Sequence, residues 1–348
     1  MLRDVREAGL ERTEAALARF FAAGDRQISS ADHRRLWTVL QESTAGGKRF
    51  RPALFHSVYL ALGGRDTDVA AEVAAALELL HTALVVHDDV IDGDTVRRGR
   101  PNVSGTFAAD ARGWGTAEDR AAHYGDTAAI LAGDLALAGA VRTVALCGAP
   151  APVVRRLLDV LDDAIHRTAA GELTDVRLSI VGGDDIAETI AMEQQKTAVY
   201  SFELPLRLAA VLAGTEPAEE AALGNFARLI GVAYQLGDDL DGMFGDQTTT
   251  GKSTLSDLRG GKTTPLISYA RTTAAWPAIS PYLHAGTVDE EDVARVRDLL
   301  ELCGARAFVA DLVQEMAASA RNAVAHLAIA PLLEDWVHAV VACREGAR

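Results

Sequence analysis

Cysteine is scarce: three in 348 residues, at positions 147, 303 and 343. An odd number so widely spaced makes neither a disulfide framework nor a metal-binding spacing, and points to a reducing compartment. Aromatic side chains reach only 5%, while alanine and leucine dominate, which favours helices. Basic charge is also short, with 34 Lys+Arg against 49 Asp+Glu and a formal net charge of −15. A chain that acidic has no field for a phosphate backbone, which argues against nucleic acid as a partner. An anionic small substrate would instead need local clusters of Lys and Arg, or bridging cations. The opening "MLRDVREAGLERTEAALARF" is charged throughout, so neither a signal peptide nor a transmembrane segment is expected there, and the expected location is the cytoplasm. Alternating strand patterns, low-complexity linkers and solenoid repeats are missing too.

What is present is helical periodicity. In "DVAAEVAAALELLHTALVVHDD" the apolar positions Val69, Val73, Leu77, Leu80 and Leu84 recur at steps of three or four. "VVRRLLDVLDDAIHRTAAGELTDV", "SFELPLRLAAVLAG" and "EDVARVRDLLELCGARAFVADLVQEMAASA" carry the same period. Pro and Gly gather between such runs, at "GGRDT", "GAPAP", "AGTEP" and "AAWPAISPYL", as helix punctuation should. One stretch, residues 108–126, looks irregular and is expected to be a surface excursion between two core helices. The expected architecture is one all-α domain over residues 1–348, a bundle with its site in a deep central cavity.

Three carboxylates, Asp88, Asp89 and Asp92, stand at the end of an apolar helix, and two arginines, Arg97 and Arg98, follow at once. Asp88 and Asp92 are at i and i+4, one above the other on one face. Like charges so placed call for something positive between them. Hard oxygen ligands with room for water suit Mg²⁺, which binds a few carboxylates together with substrate phosphates. Guanidinium forks match phosphate oxygens. Carboxylates, metal and arginines together make a diphosphate clamp. A second set lies in "YQLGDDLDGMFGD", where Gln235, Asp238 and Asp239 share a helical face. Two such clusters opposite one another would hold Mg²⁺ around one diphosphate and neutralise it as it leaves.

"GGKRFRP" sets Lys48, Arg49 and Arg51 between a glycine pair and a proline, a place where backbone and cations could meet another phosphate group. His81 stands on the same helix as the first aspartate cluster. Lys196 and Thr197 interrupt an otherwise apolar helix, where a lysine is ordinarily explained by snorkelling unless a buried anion needs it. "GDQTTTGKST" and "GGKTT" invite a nucleotide-binding reading but fail it. Asp246 and Ser256 stand where each P-loop's first glycine should be, and neither stretch follows a strand. Lys252 and Lys262 remain as cations near the second cluster.

These motifs, in this order along most of the chain, resemble the trans-isoprenyl diphosphate (polyprenyl) synthase family, in particular its short-chain bacterial farnesyl/geranylgeranyl type. The resemblance implies an all-α bundle around a deep cavity, a homodimer, and about three Mg²⁺ per site with substrate bound. It implies that Lys48, Arg51, His81 and Arg98 bind isopentenyl diphosphate. It implies that Asp88 and Asp92, with Asp238 opposite and Asp89 and Asp239 beside them, hold the metal on an allylic diphosphate (dimethylallyl, geranyl or farnesyl). Arg97, Lys196, Lys252 and Lys262 would contact that diphosphate, and Lys196, Thr197 and Gln235 would serve catalysis by stabilising the cation. Leu80, Ala83 and Leu84, one and two turns below Asp88, would set product length. Ala83 leaves the first level open, so geranylgeranyl diphosphate is the expected product, a farnesyl or longer product being the alternative. The chain departs from the pattern at Gly242, which replaces the last aspartate of the second motif, at Glu172, where glutamine is frequent, and at Gly260, where an acidic residue is common. A class I terpene cyclase and a non-catalytic partner subunit are the competing readings. The first would lack the "GGKRFRP" site, and the second would tend to lose an aspartate cluster.

Overall fold

The computed structural model describes residues 2–183, 185–245, 258, 261–283 and 289–342, with backbone alone for 2–6 and 342. It is all-α. Among the described residues the only paired strands are two of two residues each, Val96–Arg97 (β1) and Arg100–Pro101 (β2), antiparallel and joined by a tight turn. Arg98 and Gly99 both adopt positive φ there, 54° and 72°, the conformation a two-residue hairpin turn requires.

The chain divides into two compact units, one formed by residues 1–161 and 208–215, the other by 162–207 and 216–348. The first unit contains α1 (Leu2–Asp25), α2 (Ala31–Thr44), α3 (Phe50–Ala61), α4 (Thr67–Ile91), α5 (Val103–Gly113) and α6 (Glu118–Ala145). Its centre is α4, which packs on α6, α1 and α3. The helix starts at Asp66, whose side chain accepts from the Val69 amide, an N-cap that satisfies one of the orphan donors of the first turn. Ala70, Ala71, Ala74, Ala75 and Ala76 are buried along α4, and Ala128, Ala129, Ala132, Ala136 and Ala140 along α6. Such small residues let two helices approach closely without side chains to interleave. A Cβ added at Gly133 of α6 would lie 2.2 Å from His87 Nε2. Both α4 and α6 are long and apolar enough to cross a membrane by length and composition; the apolar window of α4 is 78% buried and that of α6 50%. Residues 108–126 are not an irregular excursion. They are the end of α5, a turn and the start of α6, because the glycines at 113 and 115 interrupt an alanine-rich stretch over only four residues.

The second unit is built on α10 (Pro217–Phe244), preceded by α7 (Ala151–Val181, which begins in the first unit), α8 (Ile186–Glu193) and α9 (Leu204–Ala213, also shared). After α10 come α11 (Pro265–Arg271), α12 (Trp276–Ile279), α13 (Glu290–Leu302), α14 (Ala305–Val324) and α15 (Ala330–Ala342). Between α8 and α9, residues Gln194–Glu203 form a π-helical segment, a form that recurs at functional sites. It packs on α10.

Candidate functional site

The first unit holds a cleft of about 1170 Å³. One wall is the "GGKRFRP" stretch, another the α4 face made by Glu78, His81, Thr82, Val85, Val86 and Asp89, and a third the β1–β2 hairpin with Arg97 and Arg98. Lys48 is exposed and Arg51 half-buried at the first turn of α3. The Arg98 guanidinium lies against Gly47, where an added Cβ would be 3.3 Å away. Four of the basic residues surround His81. Burial first, and then the charges of Arg51, Arg98, Arg97 and Arg49, hold its imidazole well below the usual histidine range. At neutral pH His81 is therefore uncharged, able to donate or accept a hydrogen bond without adding to the cationic field.

Arg49 differs from its neighbours. It takes a left-handed backbone, φ 46°, and its side chain turns away to Glu14, to Glu78 at 2.6 Å and to the Thr44 carbonyl at 2.8 Å. Its charge is spent on the protein. Lys48 and Arg51 are thereby presented on a strapped-down loop.

Asp88 and Asp92 close α4. The Asp92 amide bonds to the Asp88 carbonyl, and Asp92 is exposed while Asp88 is half-buried. Asp89, on the next face, is buried. Burial pushes its carboxyl up, opposed by the Arg97 guanidinium that bonds it at 2.7 Å. Arg97 also reaches Asp88 at 3.4 Å. Asp89 thus holds Arg97 across the aspartate cluster. Leu80 and Ala83 are 1% exposed, Leu84 is half-buried, and none of the three is in the wall of the cleft.

In the second unit, Lys196 and Thr197 lie in the π-helical segment. A Cβ at Gly171 of α7 would fall 2.3 Å from the Lys196 amide nitrogen, so glycine lets α7 run against this backbone. That approach brings two α7 carboxylates to the lysine: Lys196 Nζ donates to Glu172 at 3.0 Å and to Asp175 at 2.6 Å. On α10, Gln235 donates to Asp239 at 3.1 Å, and Lys262 stands 4.0 Å from the same carboxylate. Asp238 is half-buried beside it. Lys252 lies outside the described residues.

Motif reading missed Glu193. It is 5% exposed at the end of α8. Burial, and then the neighbouring charge of Asp239, push its carboxyl well above the usual range. A glutamate among "AMEQQ" carried no signal, since only the fold brings it to α10. Among the described residues no three His, Cys, Asp or Glu side chains form a ready metal cage. Mg²⁺ takes oxygen ligands and keeps several waters, the rest of its shell coming from substrate phosphate. The donor set fits: all-oxygen carboxylates, with buried oxygens of Glu193 and Asp239 left without a hydrogen-bond partner.

Residues 33–302 match the polyprenyl synthetase family. The chain belongs to that family. This polyprenyl synthetase is 32% identical over 265 residues to a geranylfarnesyl diphosphate synthase of Aeropyrum pernix, covering 75% of this chain and 77% of the relative. It is 33% identical over 281 residues to a geranylgeranyl diphosphate synthase of Mycobacterium tuberculosis, covering 78% and 73%. Among solved structures it resembles a geranylgeranyl pyrophosphate synthase of Corynebacterium glutamicum, complexed with isoprenyl diphosphate and magnesium. There the TM-score is 0.88, the identity 28% and the coverage 100% of each chain. The protein is a trans-prenyltransferase with the all-α isoprenoid synthase fold, of a family that uses isopentenyl and allylic diphosphates.

Proposed function

We propose that this polyprenyl synthetase condenses isopentenyl diphosphate head-to-tail with an allylic diphosphate to give geranylgeranyl diphosphate as its main product, acting as one catalytic domain over residues 1–348. The observation that carries the reading is the first-unit cleft, where Lys48, Arg51, His81 and Arg98 gather from three separate motifs. In a chain of net charge −15, such a concentration of cations answers to a phosphorylated ligand. Lys48, Arg51 and Arg98 bind the isopentenyl diphosphate, and neutral His81 positions it. Asp88, Asp92 and Asp238 would be the magnesium ligands, with Asp89 and Asp239 as further carboxylates. Arg97, Lys196, Lys252 and Lys262 receive the allylic diphosphate.

Magnesium, about three ions per site, supplies positive charge to the departing diphosphate. The residues do the rest. Arg97, held by Asp89 and Asp88 through Nε and one terminal nitrogen, would offer its guanidinium to phosphate oxygens. Lys196 must exchange Glu172 or Asp175 for the same anion. The Thr197 hydroxyl and the Gln235 amide present dipoles to the allylic cation left behind. That cation is attacked by the isopentenyl double bond, and a proton is then lost, with the released diphosphate as its acceptor. Charge fixed in advance around the leaving group provides most of the rate enhancement.

Leu80, Ala83 and Leu84 set the length. Ala83 is small at the level where a bulky residue would stop a fifteen-carbon chain, and Leu80 lies one turn, about 5.4 Å, further down. The twenty-carbon product is supported by one relative from Mycobacterium tuberculosis and the Corynebacterium structure, both named geranylgeranyl synthases, while other relatives of the same genus carry farnesyl and nonaprenyl names. The working state is a cytoplasmic homodimer, supported by Ile130, Leu131 and Val141, apolar and 40–49% exposed on α6. The test is incubation with labelled isopentenyl diphosphate, Mg²⁺ and each allylic starter, followed by sizing of the dephosphorylated products. Incorporation ending at twenty carbons is expected. Cyclised hydrocarbon, or no incorporation without a second subunit, would replace the reading with one of its competitors.

A further inference from the structure

Glu193 stands apart from every residue the motifs pointed to. Its side chain is 5% exposed, and its Oε2 is fully buried with no hydrogen-bond partner. Asp239, 8% exposed, has its Oδ2 in the same condition, while its Oδ1 accepts from Gln235. The two carboxyl groups are within hydrogen-bonding reach of each other, with Asp175 and Lys262 near enough to act on Glu193 electrostatically. Two neighbouring buried carboxyl groups, each with an oxygen lacking a hydrogen-bond partner, are a costly arrangement in a protein interior, since each loses its water and gains a repulsive neighbour. Lys262 is 4.0 Å from Asp239, on the same Oδ1 that accepts from Gln235. The similarly buried Glu203 also has an Oε2 without a hydrogen-bond partner, but its Oε1 is met by Arg167, Arg207 and Arg228. Among the described residues no ion pair of an arginine or lysine with Glu193 is found, and Asp239 has one with Lys262 alone, at 4.0 Å.

We infer that Glu193 is an additional magnesium-site carboxylate of this enzyme, completing with Asp239 the oxygen set on the α10 side. Two neighbouring buried carboxylates match a hard divalent cation, whose two charges offset both anions at once. α8 thereby brings to α10 a carboxylate that α10 itself does not carry at Gly242. The inference rests on the prenyltransferase reading above, and it assigns to that reaction a ligand that Asp88, Asp92 and Asp238 do not include.

The test reads binding. Mn²⁺ is titrated into the full-length protein with inorganic pyrophosphate present, and the free ion is followed by its electron paramagnetic resonance signal. The wild-type protein is compared with Glu193→Gln, which keeps shape and hydrogen-bonding capacity but removes the charge. Circular dichroism checks that both are folded. Loss of one equivalent of Mn²⁺, or weakening of one site by 10-fold or more, is the result expected for Glu193→Gln. Unchanged stoichiometry and affinity would overturn the inference, because the pair would then be closed by a proton, which the amide mimics. If Glu193→Gln does not fold, Glu193→Asp takes its place. It keeps the charge on a shorter arm, so the full stoichiometry with one weakened site is expected, and wild-type affinity at every site would overturn the inference. A wild-type protein that binds no Mn²⁺ even with pyrophosphate would overturn the metal reading of the whole site, an outcome distinct from a variant that behaves like wild type.

Discussion

Arg49 and Glu78 permit a sharp test of what holds the cationic loop in place. Their side chains are 10% and 7% exposed and meet at 2.6 Å. Arg49 also bonds Glu14, whose side chain is 53% exposed. Removing one partner of a buried ion pair leaves the other charged and desolvated, at a cost of about 3–5 kcal/mol. In Glu78→Gln an amide oxygen can still accept from Arg49, and Glu14 still offsets part of the charge, so roughly 2–3 kcal/mol is expected. For a chain of this size that lowers Tm by about 3–4 °C. Glu14→Gln removes a mostly solvated partner of the same guanidinium and should cost less than about 1 kcal/mol, at most ~2 °C. Thermal unfolding followed by circular dichroism compares the two. Because the pair straps down the loop carrying Lys48, Glu78→Gln should also raise KM for isopentenyl diphosphate while KM for the allylic substrate stays within twofold. Equal Tm shifts for the two variants, or no shift in either, would refute the claim that burial makes the Glu78 pair the anchor.

Asp88→Ala and Asp92→Ala should each cut turnover by several orders of magnitude, on the order of 4 kcal/mol or more of lost leaving-group stabilisation; activity surviving excess chelator would contradict this. Lys48→Ala or Arg51→Ala should raise KM for isopentenyl diphosphate roughly 10- to 100-fold, since each removes a charge-assisted contact of about 1.5–3 kcal/mol. Equal effects on both substrates would dissolve the two-site division. Burial lowers the His56 pKa to about 4, so between that value and ~6.5 the unfolded chain binds a proton the native protein does not. Stability therefore falls with pH, by roughly 1.4 kcal/mol at pH 5.5 from this residue, and His81 acts in the same direction. Thermal melts at pH 7 and 5.5 should show the drop, and His56→Gln should reduce it. Ala83→Phe should shift product toward fifteen carbons and Leu80→Ala should lengthen it; an unchanged product distribution would take the ruler away from α4.

Much was legible in the residues alone. The 3.6-residue period over Val69–Leu84 set α4 and its apolar stripe, because a helix buries whatever recurs at its own period. The motif order pointed to the family because diphosphate chemistry demands carboxylates, cations and glycines together. Only the tertiary structure could sort residues of one motif from each other. Lys48, Arg49 and Arg51 look alike in sequence, yet Arg49 is committed to Glu78, 29 positions away and adjacent only through folding. Asp88 and Asp89 are identical in sequence, but Asp89 is buried and bonded by Arg97. Residues 108–126 read as a loop because their glycines are visible and their packing is not. Glu193 carried no motif at all: its neighbour Asp239 stands on another helix. Local pattern determines which element forms, since helix geometry depends on near neighbours. Which charges are left facing each other without water is decided where distant elements meet.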